Sequence, residues 1–183
     1  MTPLPGPGQR PSRQRHDSNE EATMEKLFII CVDDQRDVLH SVARDVQTFS
    51  DWAIIEECES AAEAADLLED LATSGKAVAL IICDHIMPGT NGVDFLTELA
   101  TDNRFPHLKK ILLTGQATQK DTIEAINNAR IDYYLENPWD TEKLQREVRA
   151  LLSAYLFDTG LFTMEYRSLV DPRLLMTRLQ GRE

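Results

Sequence analysis

Apolar residues in this chain fall into short unbroken runs, separated by stretches in which they recur every third or fourth position. The run Leu27-Phe28-Ile29-Ile30-Cys31-Val32 and the run Val78-Ala79-Leu80-Ile81-Ile82-Cys83 are bounded by polar turns, which predicts strands buried on both faces, as in a parallel sheet covered by helices. After the first run, Val38, Leu39, Val42, Val46 and Phe49 share one face of a helix predicted over 36–49. A second strand is predicted over 52–57. Ser60 with Glu63 three residues on is a capping-box signal for a helix through Leu71. The third strand covers 77–83, and beyond the Pro88-Gly89 turn a helix is expected over 92–100. A strand over 110–113 follows, then a helix over 118–129 opened by Thr118 and Asp121, and a short strand over 132–135. A last helix begins after Pro138, with Leu144, Val148, Leu151, Leu152 and Tyr155 as its apolar stripe. Five such strand and helix units imply right-handed crossovers and an open parallel α/β sheet.

The two ends of the chain depart from this pattern. Residues 1–23 are rich in Pro, Gly, Arg and Ser with few apolar positions, and are expected to be a disordered leader. Met24 stands directly before the first strand and is a candidate start of the physiological chain. Residues 158–183 form an extension: Asp158-Thr159-Gly160 breaks the last helix, Leu161, Phe162, Met164 and Tyr166 follow, and Asp171-Pro172 opens a short helix carrying Leu174, Leu175 and Leu179. So apolar a tail is expected to pack on its own domain, with docking on a partner or second subunit as the other reading.

Length and charge narrow the possibilities. The 183 residues suffice for one well-buried domain plus extensions. The leader carries three Arg against three acids and the extension four Arg against four acids, so the whole net charge of -12 belongs to residues 24–157. A core that acidic repels phosphate backbones and anionic lipid, which argues against direct nucleic-acid or membrane binding and for protein and cation partners. No apolar stretch reaches the roughly 18 residues of a membrane span, and a cytoplasmic location is expected. Cys31, Cys58 and Cys83 lie in or at the end of strand-like runs without Cys-x-x-Cys spacing, and read as small core residues.

The chemistry lies at the strand ends. Asp33-Asp34 follows the first strand and Asp84 the third, so the three acids converge if these strands are neighbours. Taken alone, Asp33-Asp34 would be a solvated loop pair or helix cap; with Asp84 in register the pair becomes part of a site. Crowded carboxylates repel, and a hard divalent cation that prefers oxygen ligands, Mg2+, resolves the conflict. The carboxyl ends of parallel strands are where such folds bind and react.

These residues, with Met87-Pro88-Gly89 and Asn91-Gly92 after Asp84, Thr114-Gly115 after the fourth strand and Tyr134 ahead of Asn137-Pro138-Trp139, resemble the response-regulator receiver domain of two-component signalling over about residues 26–157. The resemblance implies a flavodoxin-like fold with strand order 2-1-3-4-5. It implies that Asp84 accepts a phosphoryl group from a phosphohistidine on a histidine kinase or phosphotransfer protein. Asp34, Asp84 and the Ile86 backbone carbonyl would ligate Mg2+, with Asp33 acting through a bound water. Thr114 would donate its hydroxyl to the phosphoryl group and Tyr134 would be the switch aromatic. The message would then reach a downstream protein partner through the face formed by the 118–129 helix, the fifth strand and the last helix, a face that also allows a homodimer.

The departure is at residue 137, where the family places a lysine and this chain has Asn137. Asparagine offers a hydrogen bond but no charge, and a charge-assisted bond is worth roughly 1.5 to 3 kcal/mol against about 1 for a neutral one, so a tenfold smaller phosphorylated population is expected. It also leaves the acids less compensated, so at least one carboxyl pKa should rise. Arg36 and Lys120 stand at the right end of the sheet to replace the missing cation, and Arg36 is the preferred candidate. His85 beside the acceptor reads as a loop residue, not a base. Ile86 and Gln116, two residues beyond Asp84 and Thr114, flank the path of an attacking water; apolar Ile86 cannot orient one, so slow hydrolysis is expected.

Two functions compete: a stand-alone receiver signalling through protein contacts, and a phosphorylation-independent pseudo-receiver serving as an interaction or dimerisation module. Neither is an enzyme beyond self-catalysed phosphotransfer. A dehalogenase-like phosphatase would want Asp-x-Asp after the first strand, and a flavin carrier a phosphate-cradling loop there; Asp33-Asp34-Gln35 supplies neither.

Overall fold

The computed structural model describes residues 24–115 and 129–180. Strands β1 (Leu27–Val32), β2 (Ala53–Cys58), β3 (Val78–Asp84), β4 (Lys109–Thr114) and β5 (Tyr133–Glu136) form one parallel sheet in the order β2-β1-β3-β4-β5. The helices are α1 (Arg36–Val46), continued by a 3-10 turn to Phe49, α2 (Ala61–Thr73), α3 (Gly92–Thr101), α4 (Thr141–Thr159) and α5 (Pro172–Gln180). The helix expected over 118–129 lies outside the described residues except for Ala129, which is helical.

Every residue of β1 is buried, which is why its sequence is an unbroken apolar run and does not alternate. Leu27, Ile29 and Cys31 face a layer with α1 and α4, while Phe28, Ile30 and Val32 face α2 and α3. Because β1 lies between β2 and β3, the chain leaves β1 in one direction and returns on its other side. The loops after β1 and β3 are thereby splayed apart at their carboxyl ends, and a crevice opens between them.

Local chemistry sets the helix ends. Ser60 Oγ accepts from Glu63 N at 3.1 Å, as the capping signal predicts, but the reciprocal Glu63 carboxylate accepts from Glu59 N at 2.6 Å, one residue before the cap. Asn91 caps α3 and Asp140 caps α4 through bonds from Val93 N and Lys143 N, both 2.7 Å. Helix α4 runs two residues past Phe157. It stops at Gly160, whose φ of 72° is the left-handed conformation that suits glycine.

The extension packs on its own domain. Tyr166, Leu169 and Val170 are buried in the same cluster as β1, α1 and α4. Tyr166 Oη donates to the Glu25 carbonyl at 2.6 Å, beside the start of β1. The Arg149 guanidinium donates to the Ser168 and Leu169 carbonyls at 2.9 and 2.7 Å while standing 5.5 Å from the Phe49 ring centroid. Buried Ser153 donates to the Arg149 carbonyl and accepts from Asp171 N. No described helix is long and apolar enough to cross a membrane.

Candidate functional site

Asp33 directly follows β1, where its N–H donates to the Cys58 carbonyl at 3.1 Å and continues the pairing with β2. Its Oδ1 accepts from Gln35 N at 2.8 Å, a local turn that starts α1 and points the carboxylate inward, leaving Asp33 only 2% exposed. Asp84 is the last residue of β3, and its Oδ2 accepts from Ile86 N at 2.9 Å. His85 N donates to the Leu113 carbonyl of β4, and Gly92 N closes the loop on the His85 carbonyl, both at 2.9 Å. That closure demands glycine: a Cβ on residue 92 would lie 1.8 Å from the Asp84 carbonyl oxygen.

Asp33, Asp34 and Asp84 each present a carboxylate oxygen within 4.8 Å of the others'. Burial pushes the Asp33 carboxyl up to about 6; the Gln35 N–H opposes this, and the Asp84 and Asp34 charges add to it. Asp84 is also raised, first by burial, against the Ile86 and His85 N–H groups and with the Asp34 charge adding to the rise. Asp34 Oδ1 is buried without a hydrogen-bond partner. Three carboxylates that can each turn an oxygen to one ion, one of them with a buried oxygen lacking a partner, make a fitting ligand set for a hard divalent ion.

Among the described residues no lysine or arginine is paired with the cluster, and the basic group that acts on it is His85, whose charge opposes the rise at Asp84. The Arg36 side chain, expected at the acids, instead pairs with Glu59 at 3.0 Å and is largely exposed. The reason is topological: β2 pairs in register with β1, which brings Glu59, just past β2, within reach of Arg36. Lys76 pairs with Glu25, Lys109 with Asp158, and Lys110 is buried at the amino end of β4. Lys120 and Gln116 lie outside the described residues.

Thr114 and residue 137 arrive at the same end of the sheet. Asp84 is paired in register with Leu113, Thr114 with Glu136, and Asn137 N donates to the Thr114 carbonyl at 2.8 Å. Thr114 is buried and Asn137 exposed. Ile86 is 73% exposed on the rim and Tyr134 is 39% exposed on β5. What the sequence did not reveal is that Asp45 of α1 bonds to Trp139 and Thr141, just beyond residue 137, a contact that no local motif marks.

The family model of the response regulator receiver domain matches residues 29–149. The chain belongs to this family. Among curated relatives, the receiver is 31% identical over 129 residues to the response regulator Rre1 of Synechocystis sp., covering 70% of this chain and 53% of that protein. The signal receiver domain of an HD domain-containing protein from Pseudomonas fluorescens Pf-5 superposes with a TM-score of 0.59 at 26% identity, over 68% of this chain and 93% of that one. A CheY-like receiver domain protein from Methanospirillum hungatei JF-1 shares the fold at TM-score 0.63 and 22% identity, over 73% and 99% of the two chains. The receiver spans between 16% and 53% of the length of the curated relatives it matches. The flavodoxin-like order β2-β1-β3-β4-β5 and the place in two-component signalling are thus both established.

Proposed function

We propose that this receiver takes a phosphoryl group on Asp84 from a phosphohistidine of a histidine kinase or phosphotransfer protein and signals through protein contacts. The observation that carries the reading is the convergence of Asp33, Asp34 and Asp84 with a buried, unpartnered Asp34 oxygen among them. In the transfer, a carboxylate oxygen of Asp84 forms the new O–P bond while the N–P bond of the donor breaks. The electron pair leaves with the imidazole nitrogen, which takes a proton from solvent. The Ile86 N–H holds Asp84 Oδ2 and so orients the carboxylate. Asp34, Asp84 and the Ile86 carbonyl, with Asp33 through a water, would hold Mg2+. When bound, Mg2+ supplies charge neutralisation at the phosphoryl oxygens. Thr114 and Asn137 donate neutral hydrogen bonds at the mouth, and Tyr134 reports the state on the β5 surface. The exposed Ile86 side chain offers an incoming water no hydrogen bond, so the acyl phosphate is long-lived.

One observation favours a second reading. Asn137 stands where a charge would be wanted and Arg36 turns away to Glu59, as in a module whose state is set by binding, without phosphorylation. Beryllofluoride with Mg2+, followed by NMR or Trp139 emission, separates the two. Saturable binding that Asp84→Asn abolishes is expected; a wild type that shows none at millimolar beryllofluoride leaves only the binding module.

A further inference from the structure

An aspartate in the last turn of a helix opposes the helix dipole, yet Asp45 occupies that place in α1 (Arg36–Val46). Its partners explain it. The Asp45 side chain is only 11% exposed, and its Oδ2 accepts from the Trp139 indole Nε1 and from Thr141 Oγ1, each at 2.9 Å. Gln145 Nε2 donates to the Asp45 backbone carbonyl at 2.7 Å. The carboxylate thus lies against the amino-terminal turn of α4, where the dipole favours it. Arg44, its remaining charged neighbour, approaches Oδ1 only to 3.8 Å and is mostly exposed.

The residues gripped by Asp45 begin two positions beyond Asn137. Residues 137–140 join β5 to α4 and are tied at one end by Asn137 N on the Thr114 carbonyl and at the other by Lys143 N on the Asp140 carboxylate. Asp45 supplies a third tie between them, and it comes from α1, the helix that starts from the Asp33 turn. This support matters more for asparagine than for lysine. An ammonium on a four-carbon stem acts as a point charge that reaches its target from many backbone positions. An amide on a one-carbon stem works only through a directional hydrogen bond, so the backbone of residue 137 must be held in place.

We propose that Asp45 is a positioning residue: by clamping Trp139 and Thr141 it holds the 137–140 loop so that the Asn137 amide is presented to the phosphoryl group on Asp84. This rests on the acceptor reading of Asp84. Titrate the full chain with beryllofluoride at saturating Mg2+, and separately with Mg2+ alone, following both by NMR. Asp45→Leu should weaken beryllofluoride about tenfold while leaving Mg2+ affinity within about twofold, because the acid trio does not depend on the clamp. Asp45→Asn, whose amide oxygen accepts both bonds, should bind beryllofluoride within about twofold of wild type. Should Asp45→Leu fail to fold, Trp139→Phe removes one donor, keeps the ring and should weaken beryllofluoride about fivefold. Wild-type beryllofluoride affinity in a folded Asp45→Leu or Trp139→Phe protein would overturn the positioning role alone. A wild type that binds no beryllofluoride overturns the acceptor reading and the positioning role together.

Discussion

The two ends of the sheet are built on opposite rules. At the carboxyl end three carboxylates crowd together, one of their oxygens is buried without a partner, and no lysine or arginine among the described residues reaches them. At the amino end the polar groups are paired. The Asp132 carboxylate accepts from Lys110 N at 2.8 Å, buried Lys110 Nζ donates to the Leu108 carbonyl, and Lys76 meets Glu25. Tyr166 from the extension closes over the Glu25 carbonyl. A buried oxygen without a partner in one place and paired polar groups in the other separate binding from stability: the carboxyl end has the makings of a ligand site, and the amino end ties the fold together.

The largest effect should come from breaking the locked end. Tyr166→Ala removes a buried ring and the bond to Glu25, and should cost about 3 to 4 kcal/mol in urea unfolding while leaving beryllofluoride binding by the folded protein unchanged. A cost under about 1 kcal/mol would mean that the extension is an appendage and the contrast between the ends is not one of stability.

Next in size is relief of the crowded end. An acid whose folded pKa is raised is harder to ionise in the native protein than in the unfolded chain. Its stabilising contribution is therefore complete below the ordinary value of 3.8 and is lost as pH rises through about 6, the position of Asp33. Asp33→Asn keeps an acceptor for Gln35 N and removes the charge. In chelator at pH 7.5 it should be more stable than wild type by roughly 1 to 3 kcal/mol, the gain shrinking as pH falls toward 4 and on adding Mg2+. A destabilised variant, or a gain indifferent to pH, would show that the acids are not in conflict.

How much of this was legible beforehand follows from what each signal depends on. β1 and β3 could be read because strands buried on both faces leave apolar runs, and the acids after them inherit their placement from the strands. Asn91-Gly92 was visible as a marker, but the reason for the glycine is contact with the Asp84 carbonyl, which only the folded loop creates. Arg36 was misplaced because proximity in sequence to Asp33-Asp34 says nothing of Glu59, brought alongside by β2. The Asp45 clamp joins residues 94 and 96 positions apart and the Tyr166 bond spans 141, and neither leaves a local pattern. Periodicity reports burial; it does not report which distant polar groups meet.

The smallest expected effect is the sharpest test of why the crowded end lacks a cation. Residue 137 reaches the mouth on the backbone bond to Thr114, is exposed, and donates nothing charged, so a longer basic side chain can be added there without disturbing the core. Asn137→Lys should raise beryllofluoride affinity about tenfold, the difference between a charge-assisted and a neutral hydrogen bond. It should also bring the Asp33 carboxyl down from about 6, observable by NMR titration, because an opposite charge beside a carboxylate favours its ionised form. Both changes together would mean that the wild-type pocket is complete in geometry and deficient only in charge. Unchanged affinity with a lowered Asp33 pKa would mean that the lysine reaches the acids but not the phosphoryl position, and the 137–140 loop would then be set for a different contact.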